Sequence, residues 1–277
     1  MDFHRWLHVE TRTHNTTGFW GPPDSNHQFC EPHYTVTPFL AEFYNSWSSF
    51  IFVGTALYGL QHPQLRQDPF ILGAFVWLIA IGLGSFAFHG TMQHHMQLAD
   101  EIPMVGFMAT LLLAKIGHPG LGHPWVPTDR AATLWVCLTL MICATLVWIY
   151  VILNLYEIFV HGFAMVVVLH TAIVCKFPKS PHAHKQVVMD WCSNGSLGAI
   201  LLGRVVWEIE NRCCQEYPFI WPLHTVWHGL SCLSAYFSII LTWYLRSSEN
   251  STESLVSFWG MPTIMTTSTT RDPKKVD

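Results

Sequence analysis

The chain is 277 residues long, 51% hydrophobic and only 12% charged, with a formal net charge of −4. Soluble domains carry about a quarter charged residues, so an ordinary soluble fold is excluded. With no basic patch and no interleaving of aromatic and basic residues, nucleic acid is excluded as a partner as well.

Residues 1–42 are polar and aromatic, without the basic start and short apolar core of a cleaved leader. They form an N-terminal segment. Seven apolar runs follow, at about 43–60, 70–89, 99–116, 131–149, 157–176, 187–207 and 222–245. Each is close to the ~20 residues that cross a bilayer. The stretch from Ala131 to Val174 is too long for one crossing and breaks near Asn154, Tyr156 and Glu157. The sequence therefore predicts an all-α membrane protein of seven transmembrane helices within residues 43–246. Residues 247–277 are a Ser/Thr-rich tail, expected to be disordered. There is no internal repeat.

Basic residues resist translocation and set orientation. Of the fourteen lysines and arginines, ten fall with one alternate set of loops and the C-terminal tail, and three (Arg5, Arg12, Arg212) with the N-terminus and the other loops; Arg204 lies within a span. This predicts a lumenal N-terminus and a cytosolic C-terminus. The sequon Asn15-Thr16-Thr17 falls on the lumenal side, as do Cys30, Cys213 and Cys214. An oxidising lumen permits Cys30 to pair with either of the latter two. Cys137, Cys143, Cys175, Cys192 and Cys232 lie in or beside spans, as small apolar fillers.

Most of the seventeen histidines lie in polar ends or loops. His94 and His95 are read as solvated side chains of a short lumenal loop, and His161 and His170 as bonding neighbouring helices. Three are different. His89 closes the second span at its lumenal end. His224 and His228, in LHTVWHGL, open the seventh, and residues four apart share a helix face. Three imidazoles at one depth, from two helices, form the ligand set of a catalytic zinc with its fourth position open. The competing reading has each histidine capping a helix end or bonding a carbonyl.

Asp100 begins the third span, eleven residues after His89. Beside the metal it orients water and accepts its proton, or else holds a histidine tautomer. Glu101 points about 100° away around the helix and is expected to face solvent or a headgroup. Ser85 shares a face with His89; its hydroxyl donates to a developing oxyanion or bonds back to its own helix. Zinc brings the pKa of bound water from ~15.7 to ~7 and polarises carbonyls. With an acid/base carboxylate and a hydroxyl donor, the set predicts an amide or ester hydrolase acting on lipids.

Three stretches, CEPHYTVTPFLAEFYNSWS, GSFAFHGTMQHHMQLADEIPM and LHTVWHGLSCLSAY, resemble the alkaline ceramidases, in the same order and spacing. The similarity runs from Gly18 to about Ser247 and includes WEIEN. It implies a seven-span enzyme of the endoplasmic reticulum or Golgi membrane that hydrolyses the amide of ceramide, dihydroceramide or phytoceramide. By motif, His89, His224 and His228 would bind zinc, Asp100 would be the acid/base, Ser85 would stabilise the oxyanion and Cys30 would pair with Cys214. The family pattern also implies a calcium ion held by the N-terminal segment, at positions occupied here by Gln28, Phe29, Glu31, His33 and Glu42. Gln28 and His33 depart from it, replacing a carboxylate by an amide and an amide by an imidazole. The C-terminal Lys274-Lys275-Val276-Asp277 looks like a dilysine retrieval tail and favours the endoplasmic reticulum. Nothing in the sequence calls for an obligate protein partner. The alternative is a zinc-containing seven-span receptor of the progestin and adiponectin group, whose inverted orientation the charge distribution opposes. A transporter with a histidine relay would show mid-span acids and paired repeats, and the sequence has neither.

Overall fold

The structure is a computed structural model. It describes residues 17–117, 121–181 and 183–247, and the backbone of residues 253–258 and 261–266. The sequon's Asn15 and the C-terminal dilysine lie outside the described residues.

The described residues form a helical bundle whose long helices follow the predicted spans. The first predicted span is two pieces, α1 (Phe43–Ser48) and α2 (Phe50–Leu60), joined through Ser49, which keeps helical backbone angles. A short α3 (Pro63–Gln67) leads into α4 (Pro69–Thr91). Asp68 starts α4 by accepting from the amides of Phe70 and Ile71, with proline in the first helical position, where its missing N–H costs nothing. Asp68 also pairs with Arg246 at 2.6 Å, and Arg246 donates to the Ala114 carbonyl. These bonds tie three helices at the end of the bundle opposite the histidines.

Met92, at φ 53°, closes α4 in the left-handed region, and α5 (His94–Ile116) begins two residues later. The connection is thus tighter than the loop expected over 90–98, and His94 and His95 form the first turn of α5. Next come α6 (Asp129–Leu153), opened by a Thr128 cap, and α7 (Tyr156–Val174). Asn154, at φ 52°, makes the break between them, an amide residue where the left-handed region is best tolerated. The last two helices are α8 (Ala183–Cys213) and α9 (Leu223–Arg246). Ser196 of α8 bonds the hydroxyls of Ser234 and Ser238 on α9 at 3.0 and 2.8 Å, small polar residues of the kind that join membrane helices.

Among the described residues, α4, α6, α7 and the segment Pro218–Arg246 containing α9 are long and apolar enough to cross a membrane. The chain is a multi-pass helical membrane protein. The helix α5 matches α4 in length but carries Asp100, Glu101 and Lys115, and α8 carries Asp190, Arg204, Glu208 and Glu210. In α6 the large apolar side chains Leu134, Leu140, Met141, Trp148 and Ile152 face outward. The core lies between α2, α4, α5 and α9, around Phe75, Leu78, Leu111, Tyr236 and Ile240. In the tail expected to be disordered, Glu253–Phe258 and Met261–Thr266 pair as an antiparallel hairpin; Val256, Phe258, Thr263 and Ile264 give that stretch β propensity.

One close approach sets the geometry of α4 against α5. A Cβ on Gly84 would lie 2.2 Å from the Ala99 carbonyl oxygen. Pro103, inside α5, has no N–H to offer that carbonyl. Only glycine lets the two backbones meet here, beside Ser85 and Asp100. Gly84→Ala should therefore force the helices apart, with a penalty of about 1–3 kcal/mol for overpacking, and lower the melting temperature by several degrees. Gly73→Ala on the same helix, where the added carbon would meet only Thr110 Cγ2 at 3.7 Å, should leave it unchanged in the same thermal-shift assay.

Candidate active site

Residues 17–42 lie over the end of the bundle where α4 meets α5. The amides of Ala41 and Glu42 donate to the Gly90 and His89 carbonyls at 2.9 Å, and those of Asp24 and Ser25 to Met92 at 3.2 Å. A disulfide, Cys30–Cys214, fastens the segment to the end of α8 across 184 residues of sequence. Of the two partners open to Cys30, the structure joins Cys214; Cys213 stays free.

Under this segment the structure brings His89, His224 and His228 together. One potential ligand atom from each lies within 4.8 Å of the others, and the rings are 1%, 2% and 4% exposed. Ring centroids are 4.9 Å apart for His89–His224, 5.2 Å for His89–His228 and 4.7 Å for His224–His228. None of the three caps a helix through its side chain. In each, Nδ1 already has a partner: Glu42 Oε2 for His89 at 2.6 Å, Glu210 Oε2 for His224 at 3.0 Å and Ser48 Oγ for His228 at 2.7 Å. Ser48 spends its own hydrogen on the Asn45 carbonyl, so it accepts from His228. Each ring is thereby held as the Nδ1–H tautomer, with the Nε2 lone pair free. Metal-ligating histidines are oriented in this way. Three neutral imidazoles, each with a backing acceptor, fit zinc.

Sequence reasoning missed the backing groups. Glu210 belongs to the WEIEN segment, and its second oxygen accepts the Cys30 amide at 3.0 Å. Glu42 was expected among calcium ligands, yet its carboxylate is taken by nitrogen donors: His89, the Phe29 amide at 3.2 Å, His33 Nε2 at 3.3 Å and the Asn45 side-chain amide at 3.0 Å. The oxygens of Glu31 accept the amides of Tyr44 and Asn45, both at 2.8 Å. Burial pushes the Glu31 carboxyl up to about 7 against the opposing pull of those two amides. Calcium takes six to eight oxygens. Here Gln28 is neutral, His33 presents a ring nitrogen and both carboxylates are already engaged by N–H groups. The set Gln28, Phe29, Glu31, His33 and Glu42 thus offers calcium fewer charged oxygens than the family pattern, with Glu42 filled by four N–H donors and Glu31 half-filled.

The metal-ligand cluster opens into a cavity of about 220 Å³ between the helices, its surface largely Phe, Leu, Ile, Met and Trp side chains with neutral polar groups such as Ser193, Asn194, Ser231 and Ser238 among them. Ser85 and Asp100 border it. Ser85 Oγ lies 2.9 Å from Ser49 Oγ, so its hydroxyl reaches across to the α1–α2 junction. Asp100 is close enough to His89 for their charges to interact. Glu101 corrects the sequence reading. It faces neither solvent nor a headgroup but is 4% exposed, borders the cavity and accepts from Gln97 and Tyr150. Its position follows from α6 packing over α5, which helical rotation alone does not reveal. His170 does bond a neighbouring helix, through Lys115 of α5 at 3.0 Å.

The model of the family described as Ceramidase matches residues 21–267. The chain belongs to the ceramidase family. It is 26% identical to alkaline ceramidase 3 of Mus musculus over 83% of this chain and 87% of that protein. It is 26% identical to alkaline ceramidase YPC1 of Saccharomyces cerevisiae over 89% and 83%, and 25% identical to the alkaline ceramidase of Arabidopsis thaliana over 84% and 88%. Membership in a family of hydrolases bears out the enzyme expected from the sequence and sets the receptor alternative aside.

Replacing the backing carboxylates should weaken metal binding and leave the ligands in place. Glu42→Gln and Glu210→Gln are each expected to lower zinc affinity by ~10–100-fold, measured by competition with a chromophoric chelator. An unchanged affinity in both variants would show that the carboxylates do not set the ring orientation.

Proposed function

We propose that this chain is an alkaline ceramidase that cleaves the N-acyl amide of ceramide, dihydroceramide or phytoceramide to a sphingoid base and a fatty acid. The observation that carries the reading is the convergence of three Nδ1-anchored histidines at the mouth of an apolar cavity in a ceramidase-family chain. Bound zinc would make water nucleophilic near neutral pH and polarise the amide carbonyl. The chain's own groups do the rest. Asp100 accepts the proton of the attacking water and delivers it to the departing amine nitrogen. Ser85 donates its hydroxyl to the carbonyl oxygen as negative charge grows there. The apolar cavity walls accept the hydrocarbon chains and exclude bulk water from the amide. No step requires calcium.

We read the bundle as seven spans with a lumenal N-terminus. The distribution of lysine and arginine supports this orientation, and so does the Cys30–Cys214 disulfide, which suits an oxidising compartment. The membrane of the endoplasmic reticulum or Golgi meets both requirements.

The test is release of free sphingoid base from ceramide by purified protein in detergent or vesicles. Activity should vanish with a zinc chelator, return with added zinc and stay unchanged with added calcium. His228→Ala should lower kcat/KM by ~10³-fold or more through loss of the metal. Asp100→Asn is expected to lower it by ~10²–10⁴-fold and Ser85→Ala by ~10²–10³-fold. Full activity in His228→Ala would overturn the metal-dependent reading.

A further inference from the structure

The proposed chemistry uses Ser85, Asp100 and the histidines but leaves unused a second carboxyl group on the same wall. Glu101 is buried and borders the cavity beside Asp100. Gln97 Nε2 donates to its Oε1 at 3.0 Å, and the Tyr150 hydroxyl donates to Oε2. Gln97 is fixed in turn by the Asn26 amide, which donates to its Oε1 at 2.8 Å. The two donors reach Glu101 from one turn earlier on α5 and from α6, and neither Gln97 nor Tyr150 borders the cavity. A carboxylate accepts at about four positions. Two are filled by the protein, and the residue that carries the other two is the one exposed to the cavity.

A link between α5 and α6 needs only a neutral polar pair. It does not need an acid at the cavity wall, where an ionisable group is expensive and where the other polar lining away from the histidines is neutral hydroxyl and amide groups such as Ser193, Asn194 and Ser238. What enters the chamber explains it better. On the reading proposed above, on which this inference rests, the substrate amide sits between carbons bearing hydroxyl groups, and a buried hydroxyl without a partner is disfavoured. On that reading Ser85 is committed to the amide oxygen and Asp100 to the proton in transit. We propose that Glu101 binds a hydroxyl of the sphingoid base, accepting its hydrogen bond while Gln97 and Tyr150 hold the carboxylate in place.

The test compares ceramides of one acyl chain, either complete or lacking the 1- or the 3-hydroxyl, on wild type, Glu101→Gln and Tyr150→Phe. Wild type should favour the complete lipid over one of the two analogues by ~10–100-fold in kcat/KM. In Glu101→Gln that ratio should fall to about threefold or less, with most of the loss in KM on the complete lipid; Tyr150→Phe should give an intermediate ratio. A purely structural link predicts lower thermal stability in both variants with the wild-type ratio intact, and that result would overturn the proposal. A second arm is independent of turnover: quenching of tryptophan fluorescence in zinc-stripped protein by free sphingoid base and by its deoxy forms. Hydroxyl preference in wild type that is lost in Glu101→Gln supports the assignment, and equal binding of all forms refutes it. Failure of wild type to hydrolyse any ceramide would sink the enzyme reading alone, and the fluorescence arm would still decide the role of Glu101.

Discussion

Everything at the histidine-bearing end of this molecule depends on three hydrogen bonds to imidazole Nδ1 atoms. Buried polar groups are tolerated only with partners, and a buried histidine has two nitrogens to satisfy. Here one nitrogen of each ring is committed to a fixed acceptor, from Glu42, Glu210 and Ser48. The other is left for an ion. The acceptors come from two places far apart in the sequence, Glu42 and Ser48 at the two ends of α1 and Glu210 on α8, and none lies on the helix that carries its histidine. The fold therefore has to bring the short α1 with its flanks and the end of α8 onto the ends of α4 and α9 at once.

That requirement explains features with no chemistry of their own. The Gly84–Ala99 approach carries Ser85 and His89 up to Asp100. Residues 17–42 are laid down by main-chain bonds onto the last turn of α4, so Glu42 arrives by backbone geometry and does not depend on the reach of a flexible side chain. Far from this end, Asp68 and Arg246 join α4 to α9, which helps keep the two histidine-bearing helices in register.

Much of this was legible in the sequence because it is periodic or local. Apolar runs of bilayer length gave the helices to within a few residues, and the break at Asn154 was readable because one run was too long. The spacing of His224 and His228 placed them on one face, and the matching depth of His89 followed from the alternation of spans. Tertiary pairings were not legible. Glu42 and Glu210 look like interfacial acids until the partner histidine is seen beside them. Glu101 looks solvent-facing from helical rotation, and only the packing of Tyr150 against α5 turns it inward. Calcium was expected from a pattern of residue types, and that pattern could not show that the Glu42 carboxylate is filled by N–H donors, His89 among them.

The carboxylate of Glu210 joins two events that are usually separate. One of its oxygens receives the Cys30 amide and the other receives His224, while Cys30 is itself bonded covalently to Cys214, four residues beyond Glu210. Oxidation of one thiol pair therefore anchors the same side chain that aims a ligand at the ion. A chain whose thiols are still reduced lacks that anchor, so closing the disulfide and aiming the His224 ring belong to one assembly.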